Sequence, residues 1–174
     1  MNLYLINQIF YPFFCLAILT SILGYGYLIK KYNPLNELYN FKNLIFIQGL
    51  MFVSFFTIIF NYVNAITNLI SLFILLFGSI IYLAYFLNSS NKKREVKFLL
   101  IIICLSFIIS FFSGVSDDFN YHHETIKNFK HSNLFEISHH RRISYNSHWL
   151  FLISVFSVDY LTSTIFILTA LFYS

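Results

Sequence analysis

Long uncharged apolar runs, separated by short polar windows, set the pattern of this chain. Residues 1–29, 43–91 and 98–116 contain no Asp, Glu, Lys or Arg. Crossing a hydrocarbon core about 30 Å thick takes roughly 20 helical residues at about 1.5 Å each. Runs of that order occur at 9–29, 44–63, 66–87, 98–115 and 150–173. They are continuous, so the period-two alternation of an outer-membrane barrel is absent. A helix satisfies its own backbone groups in lipid, where nothing else can. The pattern predicts an all-α fold: a polytopic transmembrane helical bundle of about five spans, with an amphipathic-helix loop on the non-cytoplasmic side. Nothing basic precedes the first run and no small-residue cleavage site follows it, so it reads as a retained helix and not a signal peptide.

Composition strengthens that reading. Of 174 residues, 58% are hydrophobic and 10% are charged, against about 25% charged in a typical soluble domain. So little polar surface cannot cover a soluble fold, and disorder needs the opposite balance. Every charged side chain except Asp159 falls in the windows 30–42, 92–97 and 117–142. Lys30, Lys31 and Lys42 follow the first run, and Lys92, Lys93, Arg94 and Lys97 follow the third. The positive-inside rule places both loops in the cytoplasm. The uncharged turn 61–68 then lies on the far side, and so does the polar segment 116–149. The net charge of +4 follows from loop placement and gives no reason to expect nucleic acid as a partner. Residues 1–97 form one unit of three spans and cytoplasmic loops, and 98–174 a second with the outward loop and last span.

Smaller features have structural readings. Cys15 and Cys104 sit in apolar runs without CxxC spacing and read as buried thiols. Tyr11, Tyr25, Tyr27, Tyr32 and Tyr82 lie near run ends, where aromatic rings settle at membrane interfaces. Gly24 and Gly26 would let helices approach closely.

Chemistry is concentrated in 116–149, which holds all six histidines, the Asp117-Asp118 pair and the Arg141-Arg142 pair. Ionisable groups gathered beyond a helix end suggest a polar cavity at the membrane surface. Phe119, Ile126 and Phe129 recur on roughly one helical face, with Lys127, Lys130 and His131 towards the other, as in a helix lying in the interface. Asp118 and His122 are four apart and would project from one side, flanked by Tyr121 and Thr125. A carboxylate beside an imidazole can act as general base, and paired guanidinium forks grip phosphate oxygens. Plainer readings stand beside these. Asp117 can cap the helix and Asp118 can sit in its first turn, while the arginines can neutralise headgroups. Adjacent histidines, His122-His123 and His139-His140, diverge on a helix, and HExxH spacing is absent, so no metal site is assigned and a divalent cofactor is not indicated. Asp159 either faces the bundle interior of the last span or follows a second interfacial helix over 149–158, with the span beginning near Tyr160.

Asp117-Asp118-Phe119-Asn120-Tyr121-His122, then Asn133-Leu134, His140-Arg141-Arg142 and Tyr145-Asn146-Ser147-His148-Trp149-Leu150, resembles a group of bacterial polytopic proteins with an acidic pair, Tyr-His, and a later His-x-Arg and Phe-Asn-Ser-x-Trp block. That group is similar to the glycosyltransferase C superfamily, membrane enzymes that take sugars from polyprenyl-phosphate donors. The resemblance implies an inverting transfer to a cell-envelope acceptor at the outer face of a bacterial inner membrane. Asp118 or Asp117 would be the base and His122 would orient it. Tyr121, His140, Arg141, Arg142, Asn146 and Trp149 would bind substrate, with membrane lipids and a polyprenyl-phosphate sugar as partners. Two departures accompany it. Three spans come before the one that leads into the acidic loop, as an N-terminal addition to the superfamily's usual single span, and superfamily members are much longer, so the chain is expected to be the front part of a longer protein. The alternative is a non-enzymatic transport or assembly subunit whose loop binds an anionic lipid or a partner. Transport is the weaker form of it, since no pair of spans is interrupted by Gly or Pro. A polymerase or ligase of surface polysaccharide would share the substrate class but not the position of the acidic pair.

Overall fold

The computed structural model describes residues 3–32, 42–112, 126–133 and 148–156. Every regular element among them is an α-helix: α1 (Leu3–Tyr32), α2 (Lys42–Val63), α3 (Asn68–Asn88), α4 (Lys92–Phe112), α5 (126–131) and α6 (His148–Phe156). Three stretches are long and apolar enough to cross a membrane: Pro12–Tyr32, Leu44–Val63 and Asn68–Asn88. They correspond to the first three expected spans, and on that ground the chain is a membrane protein that is helical among the described residues. The fourth expected run falls on α4, whose first turns hold Lys92, Lys93, Arg94, Glu95 and Lys97. The apolar part of that run is described over 98–112, and its last three residues, 113–115, lie outside the described residues. Of the fifth, only the opening part lies within α6, and 157–173 are outside the described residues.

The first helix is the hub. From Ile18 to Tyr27 nearly every side chain of α1 is buried, because α2, α3 and α4 all pack on it. Lipid tails are as apolar as leucine, so apolar burial alone does not draw helices together in a bilayer. Close packing and interhelical hydrogen bonds must do so, and α1 has both. A Cβ on Gly24 would collide with the carbonyl of Gly78 in α3, one on Gly26 with the carbonyl of Ile45 in α2, and one on Gly49 of α2 with the carbonyl of Ile22. The approach expected at Gly24 and Gly26 is therefore present, and each glycine serves a different neighbour. Around the α1–α3 crossing, Ser21 and Tyr25 hydroxyls donate to the Ile74 carbonyl at 3.2 and 3.0 Å. Thr20 and Ser79 share a hydrogen bond of 3.1 Å, and Ser79 also donates to the Ala17 carbonyl at 3.3 Å. Such bonds are worth about 0.6 kcal/mol apiece in membrane bundles. Together with backbone contact they fix α1 beside α3.

Antiparallel register places the other two helices. Ile22 opposes Gly49 and Gly26 opposes Ile45 along α2. Along α4, Cys15 Sγ meets Ser106 Oγ at 3.0 Å. The α4 face carrying Glu95, Leu99, Ile102 and Ser106 turns inward, at helical spacing, while Leu100, Ile101, Leu105 and Ile108 are exposed. Chain ends of α1 and α2 and the α3–α4 connection thus share one end of the bundle, with Lys30, Lys31, Lys42, Lys92, Lys93, Arg94 and Lys97. The α2–α3 turn occupies the other.

Two sequence expectations are corrected here. Tyr25, Tyr27 and Tyr82 do not face an interface: they are buried between helices, with Tyr27 stacked on Tyr85 at 3.6 Å between ring centroids. Of the expected belt Tyr32 is exposed, and the side chain of Tyr11 lies outside the described residues. Cys15 is buried as expected, but Cys104 is exposed, since it lies on the α4 face turned from α1; both are free thiols.

Candidate functional site

Asp117, Asp118, Tyr121, His122, His140, Arg141, Arg142 and Asn146 lie outside the described residues. Trp149 is placed within α6, with nothing described of its side chain. The structure describes the elements next to these positions in the chain: α4 before 117–122, α5 and its tail 132–133 between the two groups, and α6 after 140–146.

The α2–α3 turn holds α5. Ile126 and Phe129 of α5 are buried, as the amphipathic pattern predicts, and Lys127 and His131 are exposed. The Phe129 carbonyl accepts the backbone N–H of Ile66 at 3.0 Å and the Asn61 side-chain amide at 3.4 Å. That amide also donates to the Asn64 carbonyl at 3.4 Å, which joins the turn to itself and to α5. Asn61 is fully buried, and its Oδ1 accepts no hydrogen bond among the described residues.

Lys130 departs from the sequence reading. Its expected place was the polar face, yet it is buried and its ammonium donates to Asn68 Oδ1 at 3.1 Å and Ser71 Oγ at 2.6 Å. The reason is local. Its long apolar stem can run beside Phe129 while the head seeks oxygen, and the first turn of α3 supplies two oxygens. Thr67, the N-cap of α3, makes no side-chain capping bond, so that turn is held from outside by α5. Periodicity alone put Lys130 on the solvent side; the usable signal was the polar pair Asn68 and Ser71 in the first turn of a largely apolar helix.

Helix α6 is a wedge. α2 and α3 barely touch each other, while α6 packs on both and buries Leu152, Ile153, Val155 and Phe156. Beside it a cleft of about 440 Å³ opens between the splayed helices, within the roughly 300–1,000 Å³ typical of small-molecule sites. Phe52, Phe56 and Phe60 form one wall, Ile70, Phe73 and Phe77 the other, with Tyr25 of α1 behind and Val155 of α6 at its edge. The two hydroxyls in the lining are engaged by backbone: Thr57 donates to the Val53 carbonyl at 2.5 Å and Tyr25 to that of Ile74. A polar ligand would find no partner here, since burying a group without one is costly. A hydrocarbon chain would lose nothing.

At the opposite end, Glu95 is the residue that sequence reasoning passed over. It is buried, and the Tyr82 hydroxyl donates to its Oε2 at 3.3 Å, beside the Tyr27–Tyr85 stack. The signal was a lone acid among four cations in one helical turn and a half. Among the described residues no group of three or more metal-ligating side chains forms, and the histidine pairs lie outside them.

No family model, curated protein or solved structure matches the chain.

Proposed function

We propose that the chain is a membrane glycosyltransferase, or the part of one, that moves a sugar from a polyprenyl-phosphate donor to a cell-envelope acceptor. In this reading the bundle has five spans, lies in a bacterial inner membrane, and presents 116–149 on the non-cytoplasmic side. The observation that carries the lipid-linked donor is the cleft between α2 and α3. Between two helices long and apolar enough to span, it offers an almost wholly apolar lining whose two hydroxyls are engaged by backbone, and Val155 of α6, a helix that follows the acidic, imidazole and guanidinium residues directly in the chain, contributes to it. The tail of a polyprenyl phosphate fits that lining, and its phosphate belongs among Arg141 and Arg142.

The resemblance to the glycosyltransferase C superfamily assigns the chemistry. The carboxylate of Asp118, or of Asp117, takes the proton of an acceptor hydroxyl. The oxygen then bonds to the anomeric carbon, and the bond from that carbon to the phosphate oxygen breaks, with its electron pair leaving on the phosphate. Attack from the opposite face inverts the centre. Preorganised donors aimed at the growing phosphate charge are worth about 3–4 kcal/mol each in other enzymes, which is the role given to Arg141 and Arg142. His122 holds the carboxylate in place, and Tyr121, His140, Asn146 and Trp149 contact the substrates.

Proteoliposomes of the purified chain, supplied with a radiolabelled polyprenyl-phosphate sugar and an acceptor extract, test the reading. Transfer that disappears in Asp118→Asn and Asp117→Asn while both variants insert normally supports it. Undiminished transfer in both variants would remove the mechanism.

A further inference from the structure

Around Glu95 the first turns of α4 present a surface whose composition is unusual for a helix start. Lys92, Lys93, Arg94 and Lys97 are all exposed, and so are Val96 and Leu100 between and below them. Together the six line a shallow groove of about 670 Å³. Lys93, Lys97 and Leu100 recur at helical spacing, with Val96 beside them, so cations and apolar side chains share one stripe running into the apolar part of α4. Three cations in the first turn oppose the helix dipole, which favours anions there, so they cost the helix stability. Glu95, the one acid in this turn, is turned away from the groove to the Tyr82 hydroxyl of α3. The exposed face is left with cations only, and none of the four is held in a salt bridge among the described residues.

We propose that this groove binds the headgroup of an anionic phospholipid from the adjoining leaflet. Charge complementarity selects the phosphate, and four basic side chains at the edge of an apolar helix are the pattern that recruits acidic lipid. Val96 and Leu100 select a lipid over a free phosphate, because they lie where the first methylenes of an acyl chain would run and offer nothing to a soluble anion. The site shares no residue with the cleft and stands whether or not sugar transfer does.

Spin-label spectroscopy of the full chain reads the proposal directly. The protein is reconstituted into dioleoylphosphatidylcholine carrying a trace of spin-labelled phosphatidylglycerol or spin-labelled phosphatidylcholine in both leaflets, so that insertion direction does not matter. The expected result is a several-fold preference of the motionally restricted shell for phosphatidylglycerol. That preference falls to the phosphatidylcholine level in K92Q/K93Q/R94Q/K97Q and is kept in K92R/K93R/K97R. An unchanged phosphatidylcholine shell in the glutamine variant shows that it is still folded. A wild-type chain with no preference, or a glutamine variant that retains it, overturns the proposal. So does loss of the preference on adding inorganic phosphate at constant ionic strength, which would make the site one for soluble anions.

Discussion

Gly24 in α1 rests against the backbone carbonyl of Gly78 in α3, with no room for a methyl group between them. The contact stands at the centre of the bundle because α1 is the helix on which the other long helices pack. Ser21 and Tyr25, three residues before it and one after, bond to the same carbonyl of Ile74. Gly24→Ala should therefore destabilise the protein by about 1–3 kcal/mol, the usual cost of overpacking. Leu76→Ala, on the exposed face of the same α3, should leave the thermal midpoint in detergent nearly unchanged. Equal midpoints for the two variants would mean that the crossing is not made at Gly24.

Lys130 ties α5 to the start of α3 through Asn68 and Ser71. Hydrogen bonds to charged groups contribute about 1.5–3 kcal/mol. Lys130→Met keeps much of the apolar stem but removes both bonds, and should speed amide hydrogen exchange across 126–133. Lys127→Met, three residues earlier on the same helix and exposed, should not. Matching exchange in the two variants would show that the buried ammonium does not hold the segment.

The thiols report on depth. Cys15 is buried against Ser106, and Cys104 faces outward from α4. If α4 completes a fourth span, Cys104 should resist a water-soluble maleimide in intact membranes and react once detergent replaces lipid, whereas Cys15 should react only after unfolding. Prompt labelling of Cys104 in membranes would place α4 at the surface.

Phe56 of α2 and Phe73 of α3 both line the cleft, and both are largely exposed. Replacing both with alanine should cost little stability, because lipid takes the place of each ring. It should raise the KM for a polyprenyl-phosphate donor several-fold with kcat nearly constant, as expected when binding shared by ground and transition states is lost. An unchanged KM would show that the tail lies elsewhere.

Much of the frame was legible from the chain, because a bilayer imposes a length on each apolar run. The second and third helices match the runs at 44–63 and 66–87 within two residues at each end. Glycines 24 and 26 announced close approach, but which helix each would meet needed the fold. What failed was burial inside the bundle. Hydropathy puts Tyr27, Tyr82, Glu95 and Lys130 near water, yet partners from other helices satisfy their polar atoms. Sequence spacing within one helix carries no trace of a hydroxyl arriving from another. The catalytic candidates around Asp118 rest on residue chemistry and resemblance, and the structure adds how α5, which follows them in the chain, and α6, which follows the arginine pair, are seated.

The account stands on the end of the bundle bearing α5 facing away from the cytoplasm. In a Cys15→Ala/Cys104→Ala background, single cysteines at Ser132 and at Lys93 can be probed in intact cells with a membrane-impermeant maleimide. Labelling at 132 and protection at 93 is the predicted result. Labelling at 93 with protection at 132 would put the acidic and imidazole groups in the cytosol and contradict the proposed transfer at the outer face.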